Sequence, residues 1–192
     1  WAIEKWQLLG SPDKFALVEL GPGQGKLMQD FLRVAKLEPK FFAAIEVFLY
    51  EINSFFINSQ KANLIEYNRP IHWIKNVNEI PKLPSIIIAN EFFDALPVKQ
   101  YLKVKKKWYE SILVADPVDG RIKFHKTELS KALHNQLLHE HKKASDGAVI
   151  EESVESLDIT RYLSKHIRLH KGAALIIDYG YHVHSETRTS GQ

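Results

Sequence analysis

Residues Ala16 to Gln29 read ALVELGPGQGKLMQ: an apolar run, a glycine-rich bend and an amphipathic stretch follow one another without a break. A continuous apolar run of this length is a strand buried on both faces. The recurrence of Leu27, Met28, Phe31, Leu32, Val34 and Ala35 predicts a helix over 26–37. A strand that feeds straight into a helix commits the chain to a βα unit, and βα units build parallel sheets. Gly21, Gly23 and Gly25 tolerate positive φ and let a ligand come close to the backbone. The helix that follows turns its unsatisfied N–H groups and positive dipole end toward the bend. The bend is therefore a cradle for a small molecule.

The rest of the chain repeats the theme. Strands are expected over 43–50, 71–74 and 85–89, with a helix capped by Asn53 or Ser54 running to about Asn63. From Val98 the pattern changes to an antiparallel meander over 98–104, 108–114 and 121–125, turning at Lys105-Lys106 and Asp119-Gly120. Helical spacing returns at Leu129 to Leu138 and at Ile159 to Ile167, with Gly172 as the stop of the second helix. Ala173 to Asp178 is a last buried strand. The expected fold is α/β: a mostly parallel sheet with helices on both faces and right-handed crossovers, carrying an inserted antiparallel meander at about 98–125. All of it is expected within one domain over 1–192. In such sheets ligands sit beyond the carboxyl ends of the strands, where Gly21, Glu51, Asn90 and Asp178 all fall.

Composition narrows the function classes. An apolar content of 45% supplies a core, and the absence of Cys excludes disulfides, thiolate metal sites and a thiol nucleophile. No run approaches the roughly 20 apolar residues of a membrane span. The net charge of +3 is mild, and the one dense basic run, Lys103 to Lys107, reads as a solvated hairpin turn. Nucleic-acid binding needs a wider basic face with stacking aromatics and is rejected. His139 with His141, and His182 with His184, lack a third ligand at useful spacing, so no metal is expected. The chain opens on Trp1 without an initiator Met and reads as a fragment. Its Lys-, Ile- and Asn-rich composition suits a bacterial cytoplasm, with a mature mitochondrial matrix form as the alternative.

Three ligands compete for the cradle. A phosphate loop of the form G-x-x-x-x-G-K-[ST] has Gly25-Lys26 at its centre, but Leu20 and Leu27 stand where a Gly and a hydroxyl are needed. A dinucleotide loop needs a small third residue, and Lys26 or Met28 stands there instead. The pattern that fits is E-x-G-x-G-x-G with an acid ending the second strand: Glu19, Gly21, Gly23, Gly25 and Glu51. This suits S-adenosylmethionine, which has no phosphates and whose ribose hydroxyls a carboxylate can accept in a bidentate contact. Glu46 is a rival acid but lies inside its strand.

VELGPGQGKLMQD, the string NEFFDALPV from Asn90 to Val98, and LIIDYG together resemble the MidA-like family, over about Leu17 to Gly180. The family was long a domain of unknown function and includes a mitochondrial complex I assembly factor that is a protein arginine methyltransferase. The resemblance implies a class I, Rossmann-like, seven-stranded methyltransferase fold that uses S-adenosyl-L-methionine, its last strands missing from this chain. It implies symmetric dimethylation of an arginine in a protein substrate, a respiratory complex I-type subunit. By position it makes Glu19, Gly21, Pro22, Gly23, Gly25 and Glu51 cofactor residues, with Asn76 beside the adenine in place of a more usual acid. Asn90 and Glu91 fall where the cofactor's methionine end and the substrate meet.

Arginine is a difficult nucleophile because its guanidinium stays charged. A carboxylate has to hold the fork and localise that charge. Glu91 and Asp94, three residues apart, are expected to enter a helical turn and share one face, with Glu91 clamping the guanidinium and Asp94 orienting it or taking the proton. Phe92 and Phe93 read as wall and core. The competing function is an assembly or chaperone factor that binds the cofactor for stability; an NAD-dependent oxidoreductase ranks third because of Lys26.

Overall fold

The computed structural model describes residues 1–179. In chain order its elements are α1 (Ala2–Leu8), β1 (Phe15–Leu20), α2 (Lys26–Ala35), α3 (Pro39–Ala44), β2 (Ile45–Tyr50), α4 (Ser54–Leu64), β3 (Ile71–Ile74) and β4 (Ser85–Asn90). They continue with β5 (Lys99–Val104), β6 (Lys107–Ala115), β7 (Ile122–Glu128), α5 (Lys131–Glu140), β8 (Val149–Glu152), α6 (Val154–His170) and β9 (Gly172–Ile177). Two compact units result, Trp1–Leu96 with Ser156–Tyr179, and Pro97–Glu155.

The first unit is built on a five-stranded sheet of order β3-β2-β1-β4-β9, every neighbouring pair parallel. Parallel strands covered on both faces read as uninterrupted apolar runs, and all six residues of β1 are buried. Alternation along the strand divides them between two cores. Phe15 and Leu17 join Val47, Leu49, Ile86 and Ile88 beneath α1, α2, α3 and α4, through Trp6, Met28, Leu32, Phe41 and Leu64. Ala16, Val18 and Leu20 join Phe48, Ile87 and Ala89 beneath α6, through Ile159 and Leu163. Helices thus cover both faces, as expected.

The second unit is a four-stranded antiparallel sheet of order β7-β6-β5-β8, with α5 contributing Leu137 to a core of Tyr101, Trp108 and Ala148. The antiparallel part therefore runs beyond the expected meander, through α5 to β8. Lys105 and Lys106 turn with φ of 48° and 67°, the two-residue hairpin geometry whose twist matches the flanking strands. Lys103 departs from the solvated reading of its run. It is buried, its Nζ donates to Ala144 O at 2.7 Å, and it lies 5.6 Å from the Trp108 ring.

Other differences are local. The strand expected from Ala43 begins at Ile45, because Pro39 opens the short helix α3. Helix α6 is longer than its apolar spacing indicated and ends at His170, the left-handed residue being Lys171 (φ 67°), while Gly172 already belongs to β9. His182, His184 and Gly180 lie outside the described residues. Among the described residues no group of three His, Asp or Glu could hold a metal ion, and no helix is long and apolar enough to cross a membrane.

Candidate functional site

The sheet order places β1 between β2 and β4, with Leu20 paired to both Tyr50 and Ala89. β1, β2 and β3 wind one way and β4 starts the other, and a crevice opens where the order reverses. The residues that follow β1, β2 and β4 are Gly21, Glu51 and Glu91.

The bend takes its shape from glycine. Gly21, Gly23 and Gly25 have φ of 64°, 52° and 77°, values at which an L side chain is strained. Gly21 N donates to Tyr50 O at 3.1 Å, and Gly25 N donates to Pro22 O at 2.8 Å. Pro22 is buried and shapes the turn, and Gly25 is the N-cap of α2. A Cβ on Gly21 would lie 2.8 Å from Phe92 Cδ2, and one on Gly25 would lie 3.0 Å from Gln60 Cγ. A Cβ on Gly23 would meet nothing within 4 Å. The middle of the bend is the open part of the cradle.

Glu51 is buried beside this bend. Its Oε1 accepts from Asn53 N at 2.8 Å and its Oε2 from Gln60 Nε2 at 3.3 Å. The same Gln60 nitrogen donates to Gly23 O at 2.7 Å, tying the acid to the bend. Glu46, the rival, is spent in an ion pair with Lys14 at 3.0 Å. Glu19 sits within β1 and is 3% exposed, with Oε2 lacking any hydrogen-bond partner. Burial alone pushes its carboxyl up to about 7. A buried acid with a free oxygen beside an open cradle fits a ligand that brings a positive charge.

The remaining expected residues are at the carboxyl ends too, with differences. Asn76 follows β3, exposed, but its Oδ1 accepts from Asn78 N at 3.1 Å and Glu79 Oε1 accepts from Asn76 N at 2.7 Å. That capping box commits the acceptor oxygen of Asn76 to starting the turn at Val77–Glu79. Asn90 ends β4 with its side chain exposed. Beyond it the helical turn expected for Glu91 and Asp94 does not form. Glu91 is left-handed (φ 49°) and its N–H donates to Ile177 O at 2.8 Å. Asp94 sits in a turn closed by Leu96 N donating to Phe93 O at 3.3 Å. A shared face argued from helical spacing does not hold here, because glutamate leaves the helical region at the first residue. Both carboxylates are exposed. Phe92 is buried, as a wall should be, edge-on to Tyr50 and Phe93 at 5.7 and 5.2 Å. Asp178 and Tyr179 follow β9 and are exposed.

Comparison with known proteins shows the family. The family described as “Putative S-adenosyl-L-methionine-dependent methyltransferase” matches residues 1–192. The chain belongs to this family. S-Adenosyl-L-methionine is the family's cofactor, and the chain is MidA-like as its motifs indicated. It is 30% identical over 213 residues to human “Protein arginine methyltransferase NDUFAF7, mitochondrial”, covering 98% of this chain and 46% of that protein. The Bos taurus protein of the same name is 31% identical over 217 residues, with 98% and 46% covered. The chain thus spans about half the length of the curated relatives it matches. Two Burkholderia thailandensis structures share the fold. One, an uncharacterized protein, superposes with a TM-score of 0.76 at 21% identity over 99% of this chain and 50% of its own. The other, a likely methyl transferase bound to S-adenosyl-homocysteine, gives 0.72 at 20% identity over 99% and 49%.

In this methyltransferase-family chain, sequence reasoning missed Gln60 and Asn63. Asn63 Nδ2 donates to Gln24 O at 2.8 Å, so two side chains of α4 hold two successive carbonyls of the bend. Their three-residue spacing on a helix placed both on one face, the one signal available. The bend gave no sequence indication that its carbonyls need donors.

Proposed function

We propose that this chain is the cofactor-binding part of an S-adenosylmethionine-dependent methyltransferase that modifies an arginine of a protein substrate, a respiratory complex I-type subunit by its family resemblance. The observation that carries the reading is the convergence of an open glycine bend and the buried acid Glu51 on one crevice, joined through a single Gln60 nitrogen. Glycine at Gly21, Gly23 and Gly25 holds the bend open toward the ligand's methionine part. Glu51 accepts the ribose hydroxyls, Glu19 balances the ligand's positive charge, and Asn76 and Asn90 flank it. When bound, the cofactor supplies a methyl group already activated on a sulfonium.

The protein's share of the work is then orientation and electrostatics. Glu91 holds the arginine fork and draws its charge onto the nitrogens that do not react, while Asp94 orients the guanidinium or accepts the proton it releases. The left-handed backbone of Glu91 supports this role, since strained conformations of non-glycine residues collect at functional sites. The relatives' designation as protein arginine methyltransferases supports arginine as the acceptor.

Labelled S-adenosylmethionine incubated with the protein and candidate respiratory subunits tests the reading. Label is expected on arginine, and Glu91→Gln is expected to lower transfer by about two orders of magnitude with cofactor affinity kept within a few-fold. Tight complex formation without label would replace catalysis with an assembly role. Full turnover in Glu91→Gln would remove the clamp.

A further inference from the structure

Gln60 stands in the middle of α4 yet is fully buried, at 0% exposure. Buried amides need partners, and this one has three. Its Nε2 donates to Gly23 O at 2.7 Å and to Glu51 Oε2 at 3.3 Å, while its Oε1 accepts from Trp73 Nε1 at 2.8 Å. The indole nitrogen is only ever a donor. It can face nothing but the amide oxygen, so Trp73 on β3 fixes which way the amide points. The two N–H groups of Gln60 are thereby aimed at the bend and at Glu51. The helix also bears on the bend directly, since a Cβ at Gly25 would come within 3.0 Å of Gln60 Cγ.

The arrangement leaves Glu51 little freedom. Each carboxyl oxygen has one donor from the protein, Asn53 N on Oε1 and Gln60 Nε2 on Oε2. Those two contacts set the rotation of the group, and the lone pairs that remain belong to a ligand. Removing the amide would free the carboxylate to rotate and free the Gly23 carbonyl at the same time.

We infer that Gln60 is the positioning residue of the cofactor pocket, holding Glu51 and the glycine bend in one geometry, with Trp73 as the anchor that orients its amide. This rests on the reading that the pocket takes S-adenosylmethionine. Its role differs from packing because it requires a donor at the Nε2 position and not merely an atom there.

Gln60→Glu isolates that requirement. The variant keeps the shape and the Trp73 contact but sets an acceptor against two other acceptors, the Gly23 carbonyl and the Glu51 carboxylate. The titratable and charged groups nearby are Glu51 itself, Glu19 on β1, whose carboxyl burial pushes up to about 7, Lys61, whose Nζ is 5.3 Å from the Trp73 ring, and Lys26 on α2, whose Nζ is engaged by Gln29 Oε1 at 3.3 Å. S-Adenosylmethionine affinity is measured by calorimetry and read as the ratio of variant to wild type at each pH, which cancels titration common to both. The ratio is expected to fall about 30-fold at pH 8 and to recover to within about three-fold near pH 5, where a proton on the introduced carboxyl restores a donor. Gln60→Ala should lose affinity equally at both pH values. A Gln60→Glu loss that does not change with pH, or no loss at all, overturns the assignment.

A second arm needs no ligand. Hydrogen exchange at the amides of Gly21 and Gly25, which donate to Tyr50 O and Pro22 O, should quicken at least tenfold in Gln60→Ala and about as much in Trp73→Phe, while β1 amides keep their rates. Unchanged exchange at the bend also overturns the assignment. Failure of the wild type to bind S-adenosylmethionine would instead strike the function proposed above, and the exchange arm would still decide the role of Gln60.

Discussion

Glu19 shows how much one residue can disclose. Its neighbours on the same face of β1, Phe15 and Leu17, are fully buried core, and a leucine in its place would satisfy the packing. A carboxyl there is costly because burial opposes its charge. The displacement from 4.5 to about 7 corresponds to on the order of 3 kcal/mol. The folded-state value is the higher one. Between about pH 4.5 and 7 the folded protein keeps a proton that the unfolded chain has released, so stability falls as pH rises through that window. Glu19→Gln cannot ionise. Urea unfolding of both proteins at pH 4.5 and pH 8 should show the variant gaining on the wild type by about 3 kcal/mol. No gain would mean the carboxyl has found a counter-charge. Gly21→Ala is the companion test: a Cβ 2.8 Å from the Phe92 ring at φ 64° should cost about 1–3 kcal/mol in stability by thermal or urea unfolding.

At the scale of elements, α4 depends on its N-cap residue. Asn53 Oδ1 accepts from Phe55 N at 2.9 Å, and Asn53 N donates to Glu51, so the cap and the acid are adjacent links. Asn53→Ala should destabilise the protein by about 1 kcal/mol in urea unfolding, with exchange rising in the first turn of α4 and β3 unaffected. This cap was legible in the sequence, as was β3, because Ile71–Ile74 is a short β-rich run bounded by Pro70 and Lys75-Asn76. The elements that escaped notice have local reasons. β8 is four residues, VIEE, with no alternation of burial, and pairs with β5, about fifty positions away. Nothing local marks a strand whose only warrant is a distant partner. α3 hides because Phe41 to Ile45 is one apolar run that leads straight into β2, and such a run fits a strand and a short helix equally well. The turn at Glu91 departs from helical spacing for a further reason: its N–H donates to Ile177 O on the neighbouring strand β9, a tertiary hydrogen bond that overrides that spacing. Strand ends and glycines located the crevice; the donors that brace it lay on α4, whose sequence gave no sign of which face was buried.

Across the whole chain, the two units carry separate cores, and the residues assigned to the cofactor belong to the first. Leu137 is 4% exposed in the core of the second. Leu137→Ala should cost about 2–5 kcal/mol there, read as faster exchange in β5 and β6, with S-adenosylmethionine affinity within a few-fold of the wild type. A parallel loss of affinity would show that the second unit takes part in holding the ligand.

The reversal of winding at β1 has a consequence of its own. The slot there is produced by connectivity, before any particular acid or amide is chosen to line it. A protein stripped of its grip at Glu51 and Gln60 would still open a crevice where the strand order reverses, with the glycine loop beside it unbraced. Affinity in this architecture can therefore be rewritten at the few side chains that line and brace the opening, while the sheet that creates it stays as it is.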